Sequence, residues 1–173
     1  MNSAGLKRFL FFWCASFVAA VSGYYLLWLL MPGHQVFGSW YHMFLYHDAH
    51  PAQYLAIACF CYSCLASLLS ARFRQQRRGG QVVLTLVIFA ATILMSSPFG
   101  GMLWHYHDMQ AGYFPEGWVS RMISLGFNWG LTMGWIITVL SFPYNLLAMV
   151  GCFFLTRKGA GLFRKADAPA LRV

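Results

Sequence analysis

The chain has few charged residues, and very few of those are acidic. Only 9% of its 173 residues are charged, with four Asp and Glu against twelve Lys and Arg. Sixty per cent of the residues are hydrophobic, and the mean hydropathy is +0.57. A water-soluble domain of this length could not bury so much apolar surface, so the composition excludes that class and predicts membrane spans.

The sequence also lacks the short motifs that identify several classes of enzyme. It contains no glycine-rich phosphate loop, no G-x-S-x-G nucleophile elbow and no H-E-x-x-H zinc motif. No aspartate lies inside an apolar run, as an intramembrane aspartyl protease would require, and all five cysteines do lie inside such runs. Buried membrane thiols are usually small packing residues rather than redox centres. These absences favour a non-catalytic protein and give no candidate catalytic residue.

Four apolar runs are long enough to cross a bilayer, at roughly 20 residues per crossing. They cover about 9–31, 52–71, 81–104 and 122–155. The first run is longer than the core of a signal peptide and ends without a small-residue cleavage site, so we interpret it as a retained span. The fourth run is longer than one crossing needs.

The basic residues predict how these runs are oriented. With the N-terminus in the cytoplasm, eleven of the twelve fall on the cytoplasmic side, and only Arg121 falls outside. Splitting the fourth run into two crossings would move the basic tail, 157–173, to the outside. The sequence therefore predicts a single all-α domain, a bundle of four transmembrane helices in a bacterial-type inner membrane with both termini cytoplasmic.

The segments around these crossings carry further helical signals. The surplus length of the fourth run predicts an extended helix with a kink near Pro143, and a similar break is predicted at 96–101, around Pro98. Apolar residues recur at helical spacing between positions 36 and 45 in the first outer link. This spacing predicts a short amphipathic helix in the interface, with an aromatic-rich loop as an equal alternative.

All six histidines fall on the predicted outer side, and the triplet Tyr-His-Asp occurs twice there, at 46–48 and 106–108. Neutral imidazoles combined with carboxylates are the usual ligands of zinc, copper and iron. We therefore expect a transition metal, zinc or copper, or a haem held by two histidines. The candidate ligands are His47, His50, His105, His107, Asp48 and Asp108.

The spacing of these residues matches no strict metal signature, so two other interpretations stay open. The histidines can be boundary residues that bond to backbone or water, which the interface tolerates. They can also serve a proton-linked or quinone-facing role.

Two stripes on the fourth run predict helix contacts. Gly126, Gly130 and Gly134 form a doubled small-xxx-small pattern, and Ala15, Ala19 and Gly23 repeat it in the first run. Such faces let helix backbones approach closely in lipid. We predict that the first helix packs on the fourth through these faces, with a homodimer seam as the alternative.

The second stripe is polar and lies on roughly the opposite face of the same helix. Ser124, Asn128 and Thr132 follow one another at one-turn spacing, starting one turn after Arg121. Polar residues among apolar ones are expected to face protein or a wet cavity. They are either hydrogen-bonding contacts between helices or the wall of an outward-opening pocket with Arg121 at its mouth.

These features predict a small accessory or binding subunit whose outer cap binds a transition metal or haem. The alternatives are a non-catalytic interaction protein, such as an immunity or assembly factor, and a lipid- or quinone-handling protein that uses the polar pocket. The expected partners are membrane lipid and either another membrane protein or a second copy of the chain. Nucleic acid is excluded, since the basic residues form short clusters beside apolar runs.

Overall fold

The computed structural model describes residues 3–30, 50–113, 119–140 and 144–163, and its regular structure there is entirely helical. The five helices are α1 (Ser3–Leu30), α2 (Pro51–Gln75), α3 (Arg78–Gln110), α4 (Val119–Leu140) and α5 (Tyr144–Leu162). No strand occurs within those ranges.

Three of these helices are long and apolar enough to cross a membrane. They are Ala4–Leu26 within α1, and α2 and α3 over their whole length. Large apolar side chains stand on their outer surfaces, with Leu68 78% exposed and Val18 63% exposed. Surfaces of this kind suit contact with lipid rather than water. The helices therefore indicate a multi-pass membrane protein, as the composition predicted.

The predicted fourth run is occupied by two helices rather than one extended helix. α4 ends at Leu140, and α5 begins at Tyr144. The kink predicted near Pro143 lies outside the described residues, and so does the interfacial helix predicted at 36–45.

The break predicted around Pro98 does not interrupt α3, which continues through this residue as one helix of 33 residues. Proline removes one N–H from the helical hydrogen-bond ladder, and the carbonyl oxygen of Leu94 thereby loses its helical donor. The hydroxyls of Ser96 and Ser97 both donate to the neighbouring carbonyl oxygen of Ile93, at 3.2 and 2.6 Å. The continuous helix fixes the position of the histidines at its far end.

A buried cluster joins α1, α2 and α3, with α5 packed against it. Its members are Phe12, Tyr62, Ala66 and Ile88, and Cys152 and Leu155 of α5 lie against them. The Tyr62 hydroxyl lies 2.8 Å from Thr156 Oγ1 and donates to the Cys152 carbonyl oxygen at 3.3 Å. Because lipid offers no hydrogen-bond partner, such interhelical bonds help to hold α5 in the bundle.

Arginines hold the end of α5 at one end of this bundle, which we call the basic end. Arg74 Nη1 donates to the carbonyl oxygen of Ala160 at 3.3 Å, and the Arg8 guanidinium lies 5.7 Å from the ring centre of Phe163. Arg8 Nη1 also donates to Ser70 Oγ at 2.9 Å. Positive charge at a helix C-terminus is favourable, because the last carbonyls lack helical partners.

At the other half of the bundle, α4 packs on α3 through glycines. A Cβ atom added to Gly126 would lie 2.7 Å from Met102 Cα, and one added to Gly130 would lie 2.6 Å from Pro98 Cα. A Cβ on Gly101 would in turn overlap the carbonyl oxygen of Gly126. The two helices therefore touch backbone to backbone, which only glycine permits.

The prediction that this glycine face packs on the first helix is wrong for Gly126 and Gly130, whose close neighbours all belong to α3. In α1, Ala19 is exposed, and a Cβ on Gly23 would meet no atom within 4 Å. Gly134 lies in α4 one turn beyond Gly130. A small-xxx-small pattern predicts close approach but does not specify the partner helix.

Candidate site at the histidine end

Two histidines from different helices meet at the end of the bundle opposite the basic end, which we call the histidine end. His50 immediately precedes α2, and His107 lies in the last turn of α3. Their ring centres are 4.4 Å apart, and the ring planes are inclined by 20°. Pro51 occupies the first turn of α2, a position that proline favours, and so fixes where the helix begins. The His50 imidazole stacks on His107 and makes no capping bond to α2.

The His107 ring is buried and oriented by a glutamine. It is 5% exposed, and its Nε2 atom lies 3.1 Å from Gln53 Oε1. In the tautomer with its proton on Nε2, the ring donates to this amide oxygen and Nδ1 carries the lone pair. Gln53 favours this tautomer, in which Nδ1 can bind a metal or accept a proton.

The Tyr54 side chain lies next to this pair of histidines. Its side chain is 3% exposed, and its ring centre lies 6.1 Å from that of His107. The Tyr54 hydroxyl oxygen is buried and makes no hydrogen bond within the described part of the chain. A buried hydroxyl without a partner costs about 1–3 kcal/mol, so this position calls for a bound water or ligand.

Gln53 and Tyr54 were not among the residues singled out from sequence. They follow His50 by three and four positions in the sequence and lie in the first turn of α2. This spacing is the signal that could have found them.

The remaining predicted ligands on α3 have other contacts. Asp108 Oδ2 accepts a hydrogen bond of 2.6 Å from Trp104 Nε1, and its charge also acts on the hydroxyl of Tyr54 beside the histidine pair. His105 lies towards α4, with its ring centre 6.4 Å from that of Trp129. Positions 105 and 107 are separated by about 200° around a helix, so the two imidazoles leave α3 on opposite sides.

The six candidate ligands are thus only partly brought together. His50 and His107 meet, and Asp108 acts electrostatically on Tyr54 beside them, while His105 lies towards α4. His47 and Asp48 lie outside the described residues. Among the residues that are described, no three His, Cys, Asp or Glu side chains come together as a metal site.

The geometry of the pair separates haem from a single metal ion. Axial ligation of haem by two histidines requires both imidazoles to aim a nitrogen at one iron from opposite faces of the porphyrin. Rings stacked at 4.4 Å leave no space for a porphyrin between them, so this pair does not fit haem. A metal ion needs only that one ring turn its nitrogen towards the other's, and His50 is exposed at the start of a helix.

The polar stripe of α4 does not line a cavity between the described helices. Ser124, Asn128 and Thr132 are all exposed, whereas Gly126 and Gly130 on the other side of α4 are buried against α3. Thr132 Oγ1 donates to the carbonyl oxygen of Asn128 in the preceding turn. The stripe therefore faces away from the bundle.

Comparison of the chain with protein-family models, with curated proteins and with solved structures gave no match. Its function must therefore be inferred from the histidine end and from the exposed faces of the helices themselves.

Proposed function

We propose that this protein is a small accessory subunit of a bacterial-type inner membrane that binds a divalent transition metal ion, zinc or copper, at its periplasmic surface. The observation that carries the proposal is the meeting of His50 and His107 at one end of the bundle. Imidazoles from separate parts of the chain, one of them hydrogen-bonded to a glutamine amide, are the arrangement on which metal sites are built.

The proposed orientation rests on the separation of charge and imidazole. With the exception of Arg121 at the start of α4, the described helices carry their arginines and lysines towards the basic end. His50, His105 and His107 lie at the histidine end. Because basic residues are retained on the cytoplasmic side, the histidine end faces the periplasm and both termini face the cytoplasm.

The fourth crossing is supplied by α4. At about 1.5 Å per residue its 22 residues span about 33 Å, which is enough for a core of about 30 Å. It contacts the half of α3 nearer the histidine end, at Pro98, Gly101 and Met102. α5 contacts the opposite half of the bundle, through Tyr62 and Arg74 of α2, and takes up the surplus length of the fourth run.

In the proposed site His107 binds through Nδ1, since Gln53 holds the proton on Nε2. His50 turns from its stacked position to supply a second nitrogen. We expect His47 and Asp48, which precede His50 by three and two residues in the sequence, to complete the ligand set. The Tyr54 hydroxyl then bonds to a metal-bound water, which satisfies an oxygen that has no hydrogen-bond partner in the described helices.

The test is metal binding by the purified full-length chain and by matched histidine variants. We expect one equivalent of Zn²⁺ or Cu²⁺ by elemental analysis of wild type, and loss of that equivalent in His50→Ala/His107→Ala. His105→Ala is the matched control, because it removes an imidazole at the same end but on the opposite side of α3. Metal-free wild type, or equal metal in wild type and the double variant with helical content unchanged, would refute the proposal.

Gln53→Leu sharpens this test, because Gln53 would act only by orienting His107. Loss of an orienting hydrogen bond typically weakens metal affinity about 10–100-fold. We expect a change in that range with the stoichiometry kept, measured by competition with a chelator of known affinity. Unchanged affinity would show that His107 is not a ligand.

The alternative of a lipid- or quinone-binding pocket gains no support from the structure, because the three residues expected to line it are exposed on the outer side of α4. The alternative of an interaction protein does gain support from that same surface.

A further inference from the structure

We propose that the exposed face of α4 is the surface through which two copies of this chain associate in the membrane. We call this surface the outward face of α4, and it consists of Ser124, Leu125, Asn128, Leu131 and Thr132. At about 100° per residue these five side chains lie within about 60° of Asn128, so they form one continuous strip along the helix. All five are exposed, with Leu125 51% and Leu131 49% accessible.

The bundle leaves this strip uncovered because α4 is held from its other side. Gly126 and Gly130 lie about 160° around the helix from Asn128 and are buried against α3. The glycine contact of α4 with α3 and the polar strip therefore lie on opposite faces of α4. The contact with α3 leaves the strip accessible.

The depth of Asn128 in the membrane makes lipid a poor neighbour for it. Asn128 lies between Gly126 and Gly130 in the sequence. Gly126 packs against Gly101 of α3, and Gly130 packs against Pro98. These α3 positions precede His107 by six and nine residues, which places Asn128 about 9–14 Å below the histidine end. Positions 98 and 101 fall within the third predicted crossing, 81–104, so on that prediction the amide lies in the hydrocarbon core, where lipid offers it no hydrogen-bond partner. A neighbouring helix with polar groups at the same level would satisfy it.

The chemistry of the strip matches a second copy. Copies of one chain share one orientation in the membrane, so a two-fold axis along the membrane normal brings identical levels of α4 together. At its centre the strip offers the Asn128 amide, which both donates and accepts and so can pair with its own counterpart. The Thr132 hydroxyl already donates within its own helix. The five residues include no charged group, so no partner of opposite charge is needed.

The two leucines of the strip would add apolar contacts between the two copies. Leu125 and Leu131 lie on either side of Asn128 and offer apolar contacts around the paired amides. Close van der Waals contact together with a few interhelical hydrogen bonds is how membrane helices associate.

The test is energy transfer between donor- and acceptor-labelled full-length chains in lipid vesicles, measured as the protein-to-lipid ratio is lowered. We expect transfer in wild type that fits a dimer, and about tenfold weaker association for Asn128→Leu, in line with the strength of polar contacts between membrane helices. Asn128→Gln keeps both hydrogen-bonding functions and should retain most of the association. Ile123→Ala changes an exposed residue on another face of α4 and should leave it unchanged.

A second measurement fixes the geometry of the contact. Asn128→Cys should form a disulfide-linked dimer in oxidised vesicles, beyond the background given by the native cysteines, whereas Ile123→Cys should not. The proposal is overturned if wild type is monomeric at every ratio, if Asn128→Leu associates as well as wild type, or if the strip cross-links to a different protein in native membranes. Metal binding should be unaffected by Asn128→Leu, so this test is separate from that of the histidine end.

Discussion

The two helices that share the predicted fourth run, α4 and α5, are held in the bundle in opposite ways. α4 meets α3 backbone to backbone at Gly126 and Gly130. α5 is held by side chains: Tyr62 bonds to it, Phe12 packs beside it and Arg74 caps its end. A contact between glycines tolerates no added atom, whereas a contact between large side chains loses stability in proportion to what is removed. The comparison predicts abrupt failure at α4 and graded failure at α5.

The largest effect is expected from Gly130→Leu. Its Cβ alone would overlap the Ser97 carbonyl oxygen and approach Pro98 Cα at 2.6 Å, and neither atom can move without distorting α3. Overpacking against side chains typically costs about 1–3 kcal/mol, and a clash with backbone should cost more. We expect loss of folded protein, measured as recovery of a monodisperse species from detergent and by thermal unfolding.

Gly151→Leu in α5 provides the matched control, because a Cβ there meets no atom within 4 Å. It should leave recovery and thermal unfolding close to wild type. If Gly130→Leu were equally well tolerated, α4 would not be held by a backbone contact, and its contrast with α5 would disappear.

An intermediate effect is expected from Phe12→Ala. The Phe12 side chain is fully buried at the point where α1, α2 and α5 meet, and its ring packs edge-on against Tyr62 at 6.2 Å. Truncation of a buried phenylalanine leaves a cavity and typically costs about 3–5 kcal/mol in soluble proteins. We expect a folded but less stable protein, measured by unfolding in a denaturing detergent.

The control for Phe12→Ala is Val18→Ala, which truncates a side chain of the same helix that is 63% exposed. It should change stability by well under half as much. Equal effects of the two variants would mean that the position of Phe12 in the core is not what stabilises α5.

The sequence predicted the apolar segments well because each depends on local composition, and α1, α2 and α3 fall where three of the four runs were expected. Contacts between helices could be predicted less well from the sequence. Gly126 and Gly130 indicate close packing, but any helix with a small-residue face satisfies that pattern, and Gly101 supplied the surface that was overlooked. Pro98 was expected to break α3, but the helix continues through it.

The candidate site was likewise predicted only in part. That histidines from two links would approach each other followed from the predicted sidedness, and His50 and His107 do meet. Which histidines would meet depends on helical rotation, which separates His105 from His107 by about 200°. That rotation depends only on sequence spacing, so the two histidines of α3 could have been assigned to different sides from their positions alone. The role of Tyr54 depends on burial, which sequence does not show.

The smallest effect is expected from Tyr62→Phe, which keeps the ring in the core and removes only the hydroxyl. That oxygen lies 2.8 Å from Thr156 Oγ1 and bonds to the Cys152 carbonyl, so its loss breaks the polar connection between α2 and α5. Hydrogen bonds between membrane helices contribute about 0.6 kcal/mol on average and up to about 1.7 kcal/mol. We expect a loss in that range in detergent unfolding, with Tyr25→Phe, at an exposed tyrosine, as the control.

In a double-mutant cycle with Thr156→Val, the combined loss should be smaller than the sum of the two single losses, because both changes break the same bond. Strict additivity would show that α5 is held by packing alone, and its difference from α4 would then lie only in the size of the side chains in contact.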